Sequence, residues 1–123
     1  MSELITAEEM LAALEWAVEQ KGADYVYPDE LKEPDADGMP ECRYRRSTTG
    51  EPCCIVGVAV DHLRPGFSFR EHSPAIVTLS GVADRDAREI ALTAQNAQDD
   101  GCTWREAVAF AREELNARRE KDT

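Results

Sequence analysis

The sequence predicts an α+β domain: about four helices packed with one small antiparallel β-hairpin. Three observations carry that expectation. Two Thr-x-x-Glu boxes, at residues 6–9 and 103–106, each open a run whose apolar residues recur at helical spacing. Between them lies CCIVGVAVDHL, which is apolar almost all round, as a buried helix is. Ahead of that run stand two short segments, ADYVYP and ECRYRR, with the length and the aromatic, β-branched or alternating character of strands.

Thr6 is placed to accept from the Glu9 amide while Glu9 reaches back. Met10, Leu11, Leu14, Ala17 and Val18 follow on one face, so a helix is expected over 7–21, with Gly22 as a left-handed stop. Residues 24–27 read as an edge strand ended by Pro28. The segment 29–40, DELKEPDADGMP, reads as an acidic surface loop, longer than a tight hairpin uses. Residues 41–46 are expected to pair antiparallel with 24–27, and 47–50 form a turn. Pro52 reads as the first residue of a helix, where its missing N–H costs nothing, and that helix is expected over 53–63. Gly57 within it costs about 1 kcal/mol relative to alanine, which points to a close approach by another helix or strand.

Arg64, Pro65 and Gly66 end the central helix, and 67–78 read as a loop with a short helical turn. The next helix is expected over 84–98, with Ala87, Ile90, Ala91, Ala94 and Ala97 along one side. The last begins at Trp104 and buries Ala107, Val108, Ala111 and Leu115, then fades into a frayed charged tail over 117–123. There is no internal repeat. The 123 residues suit one domain spanning 1–123, long enough to bury roughly two thirds of its unfolded surface.

Charge narrows the function classes. The net charge is -11, and it is unevenly spread. Residues 1–41 hold twelve acids and two lysines, 42–76 five arginines and three acids, and 77–123 ten acids and seven bases. A field of this sign repels phosphates and anionic membranes, so neither nucleic acid nor a membrane is an expected partner. No apolar run approaches the ~20 residues a bilayer crossing needs. The opening MSELITAEEM is acidic where a secretory signal is basic, so a cytoplasmic setting is expected.

In a reducing compartment Cys42, Cys53, Cys54 and Cys102 read as free, mostly buried thiols. Two sharper alternatives use the same residues. Cys42, Cys53 or Cys54, and His62 are a possible three-ligand zinc set, although there is no Cys-x-x-Cys pair. A reactive thiol at 53 or 54 would draw on the helix N-terminus to lower its pKa, but its only candidate bases are His62, some twelve ångströms along the same helix at ~1.5 Å per residue, and His72. No phosphate-cradling glycine loop and no His-Glu-x-x-His helix is present, so no catalytic residue, metal ligand or cofactor is assigned.

The candidate partner-binding residues are Tyr25, Tyr27, Arg43, Tyr44, Arg45 and Arg46, which cluster if the two strands pair. Tyrosine and arginine are enriched in binding hot spots. The plainer reading is that the tyrosine rings cover the helices with their hydroxyls in water, while the arginines neutralise the acidic loop. The function expected is therefore protein–protein binding, with self-association as a possible first step. Mimicry of nucleic acid by the acidic N-terminal third stands as an alternative.

ADYVYP, the Cys-x-Tyr of Cys42 and Tyr44, the Pro-Cys-Cys-Ile-Val-Gly at 52–57 and a tryptophan opening the last helix resemble a pattern in small proteins encoded by actinobacterial phages and their hosts. The resemblance covers residues 10–63 and, more loosely, the C-terminal third. It implies a bacterial cytoplasmic setting and an accessory role toward a host or phage protein, and it implies no activity.

Overall fold

The computed structural model describes residues 3–71 and 73–121. Helix α1 (Ala7–Lys21) begins at the first capping box: Thr6 Oγ1 accepts from the Glu9 amide at 3.1 Å and the Thr6 amide donates to Glu9 Oε1 at 2.9 Å. Its buried face is Met10, Ala13, Leu14 and Ala17, which packs on the central helix and on the two C-terminal ones. Just before it, Ile5 is bridged in parallel to Ala83, with its amide donating to Val82 and its carbonyl accepting from Asp84.

The expected pairing of 24–27 with 41–46 is corrected. No strand forms over 24–27 among the described residues; instead the Tyr25 carbonyl accepts the Trp104 amide at 2.8 Å and Tyr27 enters the core. The hairpin lies inside the segment read as a loop, where β1 (Glu33–Pro34) pairs antiparallel with β2 (Pro40–Glu41), after a single 3-10 turn at Asp29–Leu31. Asp35 makes this turn: its carboxylate accepts from the amides of Asp37 and Met39, and Gly38 takes φ 81°.

The central helix α2 (Ile55–Leu63) starts later than Pro52 suggests. Pro52 sits opposite Arg45 in an isolated antiparallel bridge and the Cys53 amide donates to the Tyr44 carbonyl, so the backbone there is still extended. Cys54 is the N-cap, its Sγ accepting from the Gly57 amide at 3.2 Å. The close approach that Gly57 implies is real. A Cβ at 57 would overlap the Tyr44 carbonyl oxygen and stand 3.0 Å from its carbonyl carbon.

Residues 67–78 contain one short helical turn, α3 (Ala75–Thr78). Then α4 (Arg85–Asp99), capped by Asp84 on the Ala87 amide at 2.8 Å, and α5 (Trp104–Lys121), opened by the second capping box, form the most extensive helix pair. The stretch expected to fray is helical as far as Lys121. Arg118 is held by Asp86, Glu89 and Glu114, and Arg119 pairs with Glu8 of α1. Ile5, Met10, Leu14, Ile55, Val56, Val60, Leu79, Ile90 and Trp104 are fully buried at the centre of one core. Among the described residues no helix is long and apolar enough to cross a membrane.

Candidate functional site

The six side chains expected on a hairpin face do not form one exposed face, although the Arg43 amide still donates to Tyr27 Oη at 3.3 Å. Tyr27 and Tyr44 are core residues, 3% and 5% exposed. Their hydroxyls are not left in water. Tyr27 Oη donates to the Leu31 carbonyl at 3.1 Å, and Tyr44 Oη donates to the Ser73 carbonyl at 2.7 Å while its ring stacks on Phe69. Desolvation pushes both phenols well above the ordinary tyrosine pKa.

The arginines beside them act as struts. Arg43 Nε lies 4.0 Å from Glu33 and 3.9 Å from Glu71. The Arg45 guanidinium donates to the carbonyls of Gly50 and Phe67 and to Asp61, and it lies over the Phe69 ring. Glu71 accepts from the amides of both Tyr44 and Arg45 at 3.0 Å, which fastens this segment to the loop before α3. Tyr25 is half-buried, edge-on to Trp104 at 4.7 Å, and Arg46 is exposed.

The cysteines are all free. Cys53 Sγ donates to the Arg43 carbonyl at 3.0 Å, and burial raises its pKa; the fully buried Cys54 is raised further. The pull of a helix N-terminus toward thiolate is thus outweighed by desolvation. His62 stacks on Trp16 at the far end of α2, with ring centroids 3.8 Å apart. His72 lies outside the described residues. Among the described residues no three His, Cys, Asp or Glu side chains converge as metal ligands would, so Cys42, Cys53, Cys54 and His62 are not brought together as a zinc set.

The structure assembles something else where residues 41–44 cross α4. A recess of about 220 Å³ lies between Cys42 and Tyr44 on one wall and Leu92, Gln95 and Asp99 on the other, with Glu41 also lining it. Gln98 bridges the wall to α2: its Oε1 accepts the Ile55 amide at 2.7 Å and its Nε2 donates to Asp99 Oδ1 at 3.2 Å. Gln95 Nε2 donates to the same oxygen at 3.2 Å. Because a carboxylate only accepts and an amide nitrogen only donates, this fixes which end of Gln95 is oxygen. That oxygen, on a side chain 7% exposed, is buried with no hydrogen-bond partner.

Asp99 is exposed as a residue, yet its carboxylate is desolvated enough to raise its pKa in spite of hydrogen bonds from Cys42, Gln98 and Gln95. Burial and the bond to Asp99 push the Cys42 thiol up to about 12. Lys32 is near enough to feel both groups while its ammonium pairs with Asp29 at 2.9 Å. The recess thus combines the carboxylates of Glu41 and Asp99 with Gln95, Asn96 and Ser73, and its one thiol is held protonated. Its signal was present in the sequence as Gln95 and Gln98, two amides on the side of α4 otherwise built from alanine and isoleucine.

No family model, no curated protein and no solved structure matches the chain.

Proposed function

We propose that the protein works by binding another protein of basic character, without carrying out a reaction on it. The observation that carries this is the fate of the net-basic stretch over 42–76. Arg43 and Arg45 are turned onto Glu33, Glu71 and Asp61, which leaves the acidic surplus of residues 1–41 facing outward through exposed groups such as Glu19, Asp24, Glu30 and Asp37. A surface of one sign attracts a partner of the other and speeds its encounter. A second copy of the same chain would bring like charge, so a different, basic protein is the better fit. The resemblance to small actinobacterial phage proteins supports a host or phage protein in that role, in a bacterial cytoplasm.

Titrating the labelled protein with arginine- and lysine-rich peptides, and with an acidic peptide of equal length, tests the reading by fluorescence anisotropy at low and high salt. Binding confined to the basic peptides and weakening as salt rises is expected. Equal binding of acidic and basic peptides, or none at all, overturns it.

A further inference from the structure

We propose that the groove between α4 and α5 receives a basic amphipathic helix of the partner protein, with an apolar side chain of that helix seated against Phe110; this rests on the binding function above and names the surface that performs it. The groove has a volume of about 500 Å³. Its lining runs from Thr93 to Asp100 at the end of α4 and from Phe110 to Ala117 along α5, about two turns of each helix, or ~10 Å at ~1.5 Å per residue. Small side chains, Thr93, Ala97 and Ala117, keep it open, and Cys102 from the short connection between the helices also lines it.

Phe110 marks this groove as a surface to be covered. It is 47% exposed, whereas every other aromatic side chain is buried or half-buried. Trp16 stacks on His62, Tyr25 meets Trp104, and Tyr44 and Phe67 pack on Phe69, but among the described residues Phe110 meets no other ring. Aromatic side chains that stand free on a surface are the usual anchors of interfaces.

Charge identifies what covers it. Asp100 and Glu113 are exposed on the rim, and among the described residues neither pairs with a cation. Arg118 is held by Asp86, Glu89 and Glu114, so it neutralises neither of them. Because α4 ends at Asp99, its negative pole adds to the charge of Asp100. An apolar lining with an acidic rim complements a helix whose apolar stripe is flanked by lysine or arginine. Such a stripe repeats at three, four and seven positions, which matches the length of the groove. A second copy of this chain would bring like charge to the rim.

The test is a backbone-amide NMR titration of the full chain with a capped helical peptide that carries leucine at those spacings between lysines. Two counterparts are run beside it, one with alanine for every leucine and one with glutamate for every lysine. The leucine–lysine peptide should shift residues 93–102 and 110–117 first and slow alkylation of Cys102 severalfold. Both counterparts should bind at least about tenfold more weakly. Phe110→Ala and Glu113→Lys should each weaken the leucine–lysine peptide severalfold, with melting temperatures within a few degrees of the parent.

Shifts confined to other acidic surfaces would overturn the groove and keep the binding function. Equal binding of the alanine counterpart would show that charge alone is read, and would overturn the groove in the same way. Equal binding of the glutamate counterpart would overturn both. Concentration-dependent shifts around Phe110 in the protein alone, with dimers in sedimentation, would make a second copy the occupant and overturn the proposal. No shift with any peptide would overturn the groove, and the peptides of the previous test would decide the binding function separately. Should Phe110→Ala fail to fold, Glu113→Lys and the peptide counterparts still decide, because the first changes an exposed side chain and the second leave the protein untouched.

Discussion

Gly57 shows how a single residue can invert an intrinsic preference. In an isolated helix Gly57→Ala would stabilise by about 1 kcal/mol. Here the added methyl meets the Tyr44 backbone, which cannot swing aside as a flexible side chain would. Gly57→Ala is expected to lose about 1–3 kcal/mol in urea denaturation, the usual cost of overpacking. A gain would mean that the 43–46 segment moves freely. The thiols divide in the same local way. Cys53 and Cys54 are buried, and Cys42 is held protonated, while Cys102 is half-exposed. Timed alkylation with mass mapping should label Cys102 first and Cys53 and Cys54 only as the chain unfolds. Early labelling of Cys54 would contradict the burial described.

At the scale of elements, the helices were legible because each is written locally. A threonine three residues before a glutamate, a face of small apolar residues and a glycine after the last turn are all close in sequence. Thr6→Ala and Thr103→Ala should each cost about 1 kcal/mol of folding stability, as the loss of an N-cap acceptor does. The hairpin was misplaced for the opposite reason. Tyr25 and Tyr27 have strand-like character, but their positions are set by Trp104, Leu31 and Cys53, which are distant or depend on the fold. The Asp-Ala-Asp-Gly turn at 35–38 was a local signal, masked by the acidity around it. The recess was harder still, since it needs Cys42 and Asp99 to meet across 57 positions of chain. Arg45 ties its segment to the loop before α3 through the Phe67 carbonyl, to α2 through Asp61 and to its own turn through the Gly50 carbonyl. Arg45→Met keeps the stem over Phe69 and removes those bonds, so it should lower stability by about 1–3 kcal/mol. Hydrogen exchange should quicken at 67–71 more than in α5; uniform quickening would argue against a local tie.

For the whole molecule, the charge of -11 makes stability depend on pH and salt in opposed ways. Raised salt should raise the melting temperature by screening self-repulsion. Asp99 has a raised folded pKa, so it binds its proton more tightly when folded, and stability falls as pH rises through its titration. Glu9, Glu33 and Glu106 have lowered folded values, set by Thr6, Ser47 and Thr103. Desolvation works against Asp61, but Arg45 and the Gly66 amide hold it low as well. The stabilisation these four give is present above the ordinary values of 3.8 and 4.5 and is lost as pH falls through the folded ones. Thermal melts should therefore show stability holding or rising as pH drops from neutral, then falling steeply below those values. A steady decline from neutral would mean that self-repulsion is unimportant.

The bridge that joins Ile5 to Ala83 also bears on the order of synthesis. Ile5 is completely buried, and the residues that hold its amide and carbonyl are Val82 and Asp84. The segment that carries Ile5 is therefore made well before the residues that cover it, and waits for them to emerge. Chains stopped before residue 82 should expose Ile5 and the apolar face of α1 together, and proteolysis should clear them while the finished protein persists.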